Sequence, residues 1–242
     1  MIPKIIHYCW FGGKKNKLVE KCINTWKICL PDYKIIEWNE QNFDIHITKF
    51  TTKAYKLKKY AFVSDYVRIW SLYNYGGIYM DTDVEVLKNL DRFLCHRFFT
   101  GFESNNFAVT GIMGSEKGHP FLKELLEWYN GQDFDANKLK TNTQIISNLM
   151  KKYGLELNGK YQVLEHDMHI YPKEWFCPYD LEKNKLIITD NTYTIHHFQG
   201  SWLPLKDKIK LKIRNMVINI IGYEKFELIK LNFIKNNIRD KA

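Results

Sequence analysis

Two kinds of apolar pattern alternate along the chain. Runs of β-branched and aromatic residues predict strands at 2–10, 33–38, 78–80, 98–102, 108–113 and 193–198. Apolar residues that recur every three or four positions predict helices at 19–30, 52–60, 62–73, 119–129 and 142–153. Strands that alternate with helices are typical of an α/β protein with a largely parallel sheet.

The end of the chain, residues 205–242, differs from the rest in charge. It holds ten Lys and Arg against four Asp and Glu, which accounts for most of the net charge of +9. Apolar residues at helical spacing predict a helix that ends at Gly222, followed by another. This helix either lies on an anionic membrane surface or packs on the core, and the Lys-Ile alternation at 208–213 also allows a strand. We therefore expect a main domain at 1–204 and a basic, amphipathic helical tail at 205–242.

Composition narrows the class of protein. The chain has 242 residues and is 45% hydrophobic, which is enough for a core and excludes a wholly disordered protein. No apolar run approaches the ~18–20 residues of a membrane span. The first residues show no signal-peptide pattern, and the five cysteines form no CxxC pair, so we expect a reducing, cytoplasmic location.

The strongest chemical signal is the segment Gly76-Gly77-Ile78-Tyr79-Met80-Asp81-Thr82-Asp83. A short apolar strand leads into two aspartates, and residues i and i+2 of an extended chain point to the same side. Two such carboxylates can share Mg²⁺ or Mn²⁺, which in turn binds phosphate oxygens. A solvated acidic turn is the alternative interpretation.

Three further segments carry weaker signals. Asp65 and Arg68 are neighbours on one helix face and form either a surface ion pair or a sugar-binding pair. The segment at 196–202, His-His-Phe-Gln-Gly-Ser-Trp, offers an imidazole ligand and hydrogen-bond donors for phosphate, although a core histidine is the simpler interpretation. Trp10 follows the first strand, where an aromatic ring can stack on a nucleotide base.

Together these segments resemble glycosyltransferase family 32, the group with a DXD sugar-binding region. The segments that match are IPKIIHYCWFGG at 2–13, AFVSDYVR at 61–68, GGIYMDTDV at 76–84, His196-His197 and Ser201-Trp202. The resemblance covers about residues 1–204. It implies a GT-A fold, in which a Rossmann-like, mostly parallel sheet is flanked by helices. It also implies a nucleotide-diphosphate sugar donor, Mn²⁺ or Mg²⁺, and retention of the anomeric configuration.

The resemblance also assigns roles at the metal and the sugar. Asp83 is expected to bind the metal directly, and Asp81 to contact the ribose, the sugar or the metal. His197 matches the third metal ligand, with His196 as the alternative. Asp65 and Arg68 are expected to contact the donor sugar.

Other roles follow for the nucleotide and the reaction centre. By resemblance, Trp10 stacks on the base, and Ser201 and Trp202 bind the diphosphate. The segment at 142–144, Asn-Thr-Gln, matches an Asp-Gln pair beside the anomeric carbon, so Gln144 becomes a candidate catalytic residue while Thr143 replaces the acid. Glu103 is the remaining candidate for an enzymic nucleophile.

The function expected from this resemblance is a metal-dependent, retaining hexosyltransferase of bacterial surface polysaccharide synthesis, acting on capsule or lipopolysaccharide. Its expected partners are a nucleotide sugar, a glycan or lipid-linked glycan acceptor, and the inner face of the plasma membrane through 205–242, without nucleic acid.

Two alternatives remain open from the sequence. Asp81-Thr82-Asp83-Val84 also fits the nucleophile motif of haloacid-dehalogenase-like phosphohydrolases, although that fold carries the motif near its N-terminus. A basic nucleic-acid-binding module is the second alternative, because of the charge of the tail.

Overall fold

The computed structural model describes residues 1–104, 107–108, 111–136, 140–180, 182–200 and 205–239, without the side chains of 205 and 232–239. Its helices are α1 (Lys17–Cys29), α2 (Lys49–Lys56), α3 (Tyr60–Tyr75), α4 (Pro120–Asn130), α5 (Asn142–Met150), α6 (Lys173–Phe176), α7 (Leu205–Ile221) and α8 (Tyr223–Arg239). Its strands are β1 (Ile5–Cys9), β2 (Lys34–Trp38), β3 (Gly77–Met80), β4 (Val84–Val86), β5 (Phe98–Gly101), β6 (Ile112–Ser115), β7 (Gln162–Leu164), β8 (Met168–Tyr171), β9 (Tyr179–Asp180), β10 (Lys185–Leu186) and β11 (Thr194–His196).

Seven of these strands form one central sheet in the order β2-β1-β3-β6-β5-β8-β7. Strands β2, β1, β3, β5 and β8 run in one direction, while β6 and β7 are antiparallel to their neighbours. The predicted α/β class with a mostly parallel sheet is therefore confirmed. Because β1, β3 and β5 share a direction, the segments that follow them meet at one edge of the sheet.

The core lies on both faces of this sheet. Along β3, Ile78 and Met80 pack into one buried cluster with Trp26 of α1, whereas Tyr79 packs into the other with Val67 of α3. This alternation is the period of two that a strand imposes. A residue that continues the pattern beyond Met80 therefore faces α3.

Glycine allows β3 to start where it does. Gly77 has φ +112°, and a Cβ atom there would lie 2.6 Å from the carbonyl oxygen of Ile5 in β1. Any other residue would combine a strained backbone with a steric clash. The Gly-Gly pair thus ends α3 and lets β3 pair closely with β1.

A second, two-stranded sheet joins β4 to β11, with Val84 opposite His196. The indole N–H of Trp26 donates to the carbonyl oxygen of Val84 at 2.7 Å, which ties this small sheet to α1. The small sheet brings a late segment of the chain next to the turn that follows β3.

The chain divides into two compact units, Met1–Pro178 with Ile188–Gln199, and Tyr179–Ile187 with Gly200–Ala242. The second unit contains β9, β10, α7 and α8. The boundary expected at residue 204 stays a prediction. Among the described residues, no helix is both long enough and apolar enough to cross a bilayer.

Most predicted elements are found within a few residues of their expected bounds. The strand expected at 108–113 is shifted to β6 (Ile112–Ser115), with 109 and 110 outside the described residues. Residues 208–213 are helical in α7, so the strand alternative there is wrong. The sequence pattern did not predict β4, the inner strand β8 or the edge strand β7, which are three or four residues long.

Candidate active site

The two aspartates of the DxD motif lie in a turn at the end of β3. The backbone N–H of Val84 donates to the carbonyl oxygen of Asp81 at 3.0 Å. The backbone N–H of Asp81 donates to the carbonyl oxygen of Gly111 at 2.7 Å. Asp81 is half-buried and Asp83 is buried. This turn, held from both sides, presents both carboxylates at the sheet edge.

His196 is the histidine beside these aspartates. It is the last residue of β11, opposite Val84 in the register. Its Nε2 atom lies 3.3 Å from Oδ1 of Asp83 and 3.9 Å from Oδ2 of Asp81. One donor atom from each of the three residues lies within 4.8 Å of the others.

His197 lies elsewhere, so the geometry favours the alternative ligand, His196, over the expected His197, and the metal role of either residue stays a prediction. The Nε2 atom of His197 lies 2.8 Å from Oε2 of Glu85, and its backbone N–H donates to the carbonyl oxygen of Asp83 at 3.0 Å. The reason is strand geometry, since successive side chains of an extended segment point to opposite sides.

Arg68 links the aspartates to α3. Its guanidinium donates to Oδ1 of Asp81 at 2.7 Å, lies 3.8 Å from Oδ1 of Asp65 and stacks 4.5 Å from the ring centre of Tyr79. Asn142, the first residue of α5, donates to Oδ1 of Asp65 at 2.8 Å. Arg68 is 4% exposed and its Nε–H has no hydrogen-bond partner among the described residues. Arg68 is therefore buried and Asp65 half-buried beside the two aspartates, so they do not form an exposed ion pair, while their role in sugar binding stays a prediction.

The electrostatics of this cluster are strongly perturbed. Burial raises the pKa of Asp83, but the hydrogen bond and charge of His196 and the amide of Gln199 outweigh it and lower that pKa to about 2. Burial lowers the pKa of His196, yet the hydrogen bond to Asp83 and the charges of both aspartates raise it well above its usual value. Burial raises the pKa of Asp81 against the opposing charges of Arg68 and His196.

Two further carboxyls have raised pKa values. Burial raises the pKa of Asp65 to about 7, against the charge of Arg68. Burial also raises the pKa of Glu103, which lies beyond β5 within electrostatic range of His196 and Asp81. Perturbed titratable groups gathered at one sheet edge are typical of a functional site.

The donor set fits a divalent cation. Two carboxylate oxygens and one imidazole nitrogen suit Mn²⁺, and the oxygens alone suit Mg²⁺. The raised pKa of His196 favours a protonated imidazole beside Asp83, and a cation bound there would displace that proton and take over its charge. Asp81, Asp83 and His196 would hold the ion.

The segment after β1 lies at the same edge of the sheet. Trp10 is partly buried, and its indole N–H donates to the carbonyl oxygen of Gly13 at 2.8 Å. Beside it, Tyr8 donates to Glu37, which also pairs with Lys15 at 2.7 Å. Trp10 follows the first strand as expected, and the structure pairs that strand with β3, while the role of Trp10 as a base platform stays a prediction.

The remaining candidates have different outcomes. Gln144 is exposed, and the residue of that segment that reaches the site is Asn142. Ser201 and Trp202 lie outside the described residues. Sequence reasoning missed the backbone N–H of Gln199, which donates to Oδ2 of Asp83 at 2.7 Å, because a backbone donor leaves no signature in the residue type.

Comparisons with known proteins find glycosyltransferases. The family model "Glycosyltransferase sugar-binding region containing DXD motif" matches residues 16–100. An inositol phosphoceramide mannosyltransferase 3 of Schizosaccharomyces pombe is 32% identical over 52% of this chain, and the match covers 36% of that protein. The chain thus spans about a third of the length of this fungal relative.

Two further proteins extend the comparison. An uncharacterized glycosyltransferase of Acanthamoeba polyphaga mimivirus is 25% identical over 91% of this chain and 92% of its own length. The solved structure of the PaToxG glycosyltransferase aligns with 62% of this chain and 68% of its own, with a TM-score of 0.49 and 19% identity. The resemblance to family 32 drawn from the sequence is confirmed, and it extends across residues 16–100 in the family model and across most of the chain in the viral relative.

Proposed function

We propose that this protein is a metal-dependent glycosyltransferase that moves a hexosyl group from a nucleotide-diphosphate sugar to a hydroxyl group of a glycan or lipid-linked glycan. The observation that carries the proposal is the convergence of Asp81, Asp83 and His196 at the sheet edge that also receives Trp10. Nucleotides bind at this edge of α/β sheets.

The cation is either Mn²⁺ or Mg²⁺. When bound, it stabilises the negative charge that grows on the nucleotide diphosphate as it leaves. The chain fixes its ligands before binding, because β3 positions Asp81 and Asp83 while the β4–β11 sheet positions His196. Such preorganisation reduces the reorganisation needed during the reaction.

Arg68, Asp65 and Asn142 hold the donor sugar in this proposal. The Nε–H of Arg68, which lacks a protein partner among the described residues, is a donor for a sugar or phosphate oxygen. Asp65 accepts hydrogen bonds from sugar hydroxyls, and Asn142 orients its carboxyl by donating to Oδ1. These residues restrict the sugar to one orientation relative to the diphosphate.

The transfer retains the anomeric configuration. The acceptor hydroxyl attacks the anomeric carbon from the face that the diphosphate leaves, so one carbon–oxygen bond forms as another breaks. The departing phosphate oxygen takes the hydroxyl proton. A double displacement would need a carboxylate nucleophile, for which Glu103 is the candidate at this edge.

The acceptor and the location are the finer parts of the proposal. The fungal relative is named for mannose transfer to inositol phosphoceramide, which supports a hexose donor and a lipid-linked acceptor here. The expectation of a bacterial capsule or lipopolysaccharide acceptor has no counterpart among the relatives named above. All five cysteines are free thiols, which fits the proposed cytoplasmic location.

A ligand screen by thermal unfolding tests the proposal. UDP- and GDP-hexoses are added with Mn²⁺, with Mg²⁺ or with EDTA. A ligand at 100 times its Kd stabilises by about 2.7 kcal/mol, which for a chain of this length raises Tm by roughly 5–10 °C.

Variants make the screen specific. Asp83→Ala should lose the metal-dependent shift and sugar transfer, whereas Asp133→Ala, an exposed carboxylate, should keep both. Metal-dependent donor binding that survives unchanged in Asp83→Ala would contradict the proposed site.

A further inference from the structure

Helix α7 carries a continuous apolar stripe that faces solvent. Ile209, Ile213, Met216 and Ile220 are spaced by four, three and four residues, which places them along one side of the helix. Their exposed fractions are 50%, 52%, 57% and 75%. Ile218, on the opposite side, is 3% exposed, so the helix packs inward through that side and leaves its main apolar stripe uncovered.

Lysines flank this stripe on both sides. At 100° per residue, Lys206 and Lys210 lie along one border and Lys208 and Lys212 along the other. Asp207 lies on the side away from the stripe. An apolar strip about three helical turns long, with lysines along both borders of its first half, is the pattern of a helix that lies in a membrane interface.

We propose that α7 is a binding site for anionic membrane surfaces, with the stripe inserted among the acyl chains and the flanking lysines against the lipid headgroups. The site lies in the second unit and needs none of the catalytic residues, so it goes beyond the proposed transfer reaction. Charge complementarity selects the occupant, because anionic headgroups meet both lysine rows at once.

A second copy of the chain fits this surface less well. Stripe-to-stripe packing would bring the lysine rows of two α7 helices side by side, and like charges at short range repel. Between residues 205 and 231 the chain has seven Lys and Arg against three Asp and Glu, so the second copy offers few carboxylates in return.

Co-sedimentation of the full chain with vesicles tests the proposal. Vesicles of phosphatidylcholine with 30% phosphatidylserine are compared with phosphatidylcholine alone, at low and high KCl. We expect binding to the anionic vesicles that weakens as salt screens the lysines, and little binding to the neutral ones.

The stripe is tested with the double variant Ile213→Gln/Met216→Gln. Removing two inserted apolar side chains should weaken partitioning by about tenfold or more. The matched control is Ile28→Gln/Val163→Gln, two exposed apolar residues of the first unit, which should bind like the unchanged protein.

The flanking charge is tested with Lys206→Gln/Lys212→Gln, one lysine from each border. At about fivefold per lysine, partitioning should fall roughly thirtyfold. Lys27→Gln/Lys56→Gln removes the same charge from exposed positions of the first unit and should have a much smaller effect.

Several outcomes would overturn the proposal. The first is equal binding to neutral and anionic vesicles. The second is that the stripe and lysine variants sediment with vesicles as their controls do. The third is a dimer in sedimentation velocity that depends on the stripe, in a protein that does not bind vesicles. Circular dichroism checks the helix content of each variant, and if the stripe variant loses helicity, the lysine pair decides the result.

Discussion

Replacement of Arg68 by Met removes the buried guanidinium that lies between the half-buried carboxylates of Asp65 and Asp81. Arg68 donates to Asp81 at 2.7 Å, lies 3.8 Å from Asp65 and is 4% exposed. Methionine keeps much of the packing on Tyr79 but leaves both carboxylates without their cation. Breaking a buried pair in this way destabilises a protein by about 3–5 kcal/mol.

For a chain of this length, that loss corresponds to a fall in Tm of roughly 6–20 °C. The assay is thermal and urea unfolding followed by circular dichroism, without added metal. Arg97→Met is the matched control, because Arg97 forms an exposed ion pair with Glu116 at 2.6 Å that is worth about 0–1 kcal/mol.

A double variant separates charge from packing. Arg68→Met combined with Asp81→Asn removes one of the stranded charges and should recover part of the lost stability. If Arg68→Met is no less stable than Arg97→Met, or if the double variant recovers nothing, the electrostatic account of this site is wrong.

Three further predictions concern the same site. His196→Ala should weaken Mn²⁺ binding by at least tenfold, as measured by isothermal titration. His197→Ala should bind Mn²⁺ nearly as the unchanged protein does. Equal effects of the two variants would contradict the choice of His196 as the metal ligand. Gly111→Ala places a Cβ atom 3.2 Å from Oδ2 of Asp81, so it should lower metal affinity and stability by ~1–3 kcal/mol, measured by titration and urea unfolding. Because the pKa of Asp65 rises from 3.8 to about 7 on folding, its contribution to stability is complete below pH 3.8 and is lost as pH rises to about 7. The free energy of unfolding of the protein, measured against that of Asp65→Asn, should therefore fall between pH 4 and 8 by ~4 kcal/mol at most. If urea unfolding shows that this difference is the same at every pH, the raised pKa of Asp65 is wrong.

The sequence predicted the part of the site that depends on local pattern. The alternation of Ile78, Tyr79 and Met80 identifies a buried strand, and the Gly-Gly pair marks its start, so Asp81 and Asp83 could be placed at a strand end. The helical spacing around Asp65 and Arg68 placed them on one face of α3. Each of these inferences needs only residues close together in the sequence.

The parts that the local pattern could not predict depend on distant pairing. Whether His196 or His197 faces the aspartates is set by the register of β11 on β4, a strand of three residues that the sequence did not reveal. A shift of one residue exchanges the two faces of a strand, so the local pattern could not decide. Asn142 reaches Asp65 because α5 begins at that residue, which is capped by Thr141.

The small β4–β11 sheet has a consequence for the order of assembly. Gln199 and Asp83 are 116 residues apart in sequence, yet they are joined by a hydrogen bond. Closing so long a loop is slow and entropically unfavourable. In addition, the ribosome must synthesise nearly the whole first unit before His196 and Gln199 can approach the two aspartates. A nascent chain that ends before β11 has no histidine beside its aspartates. In the proposed function, the candidate metal site is therefore completed only late in synthesis, long after the segment that holds the two aspartates.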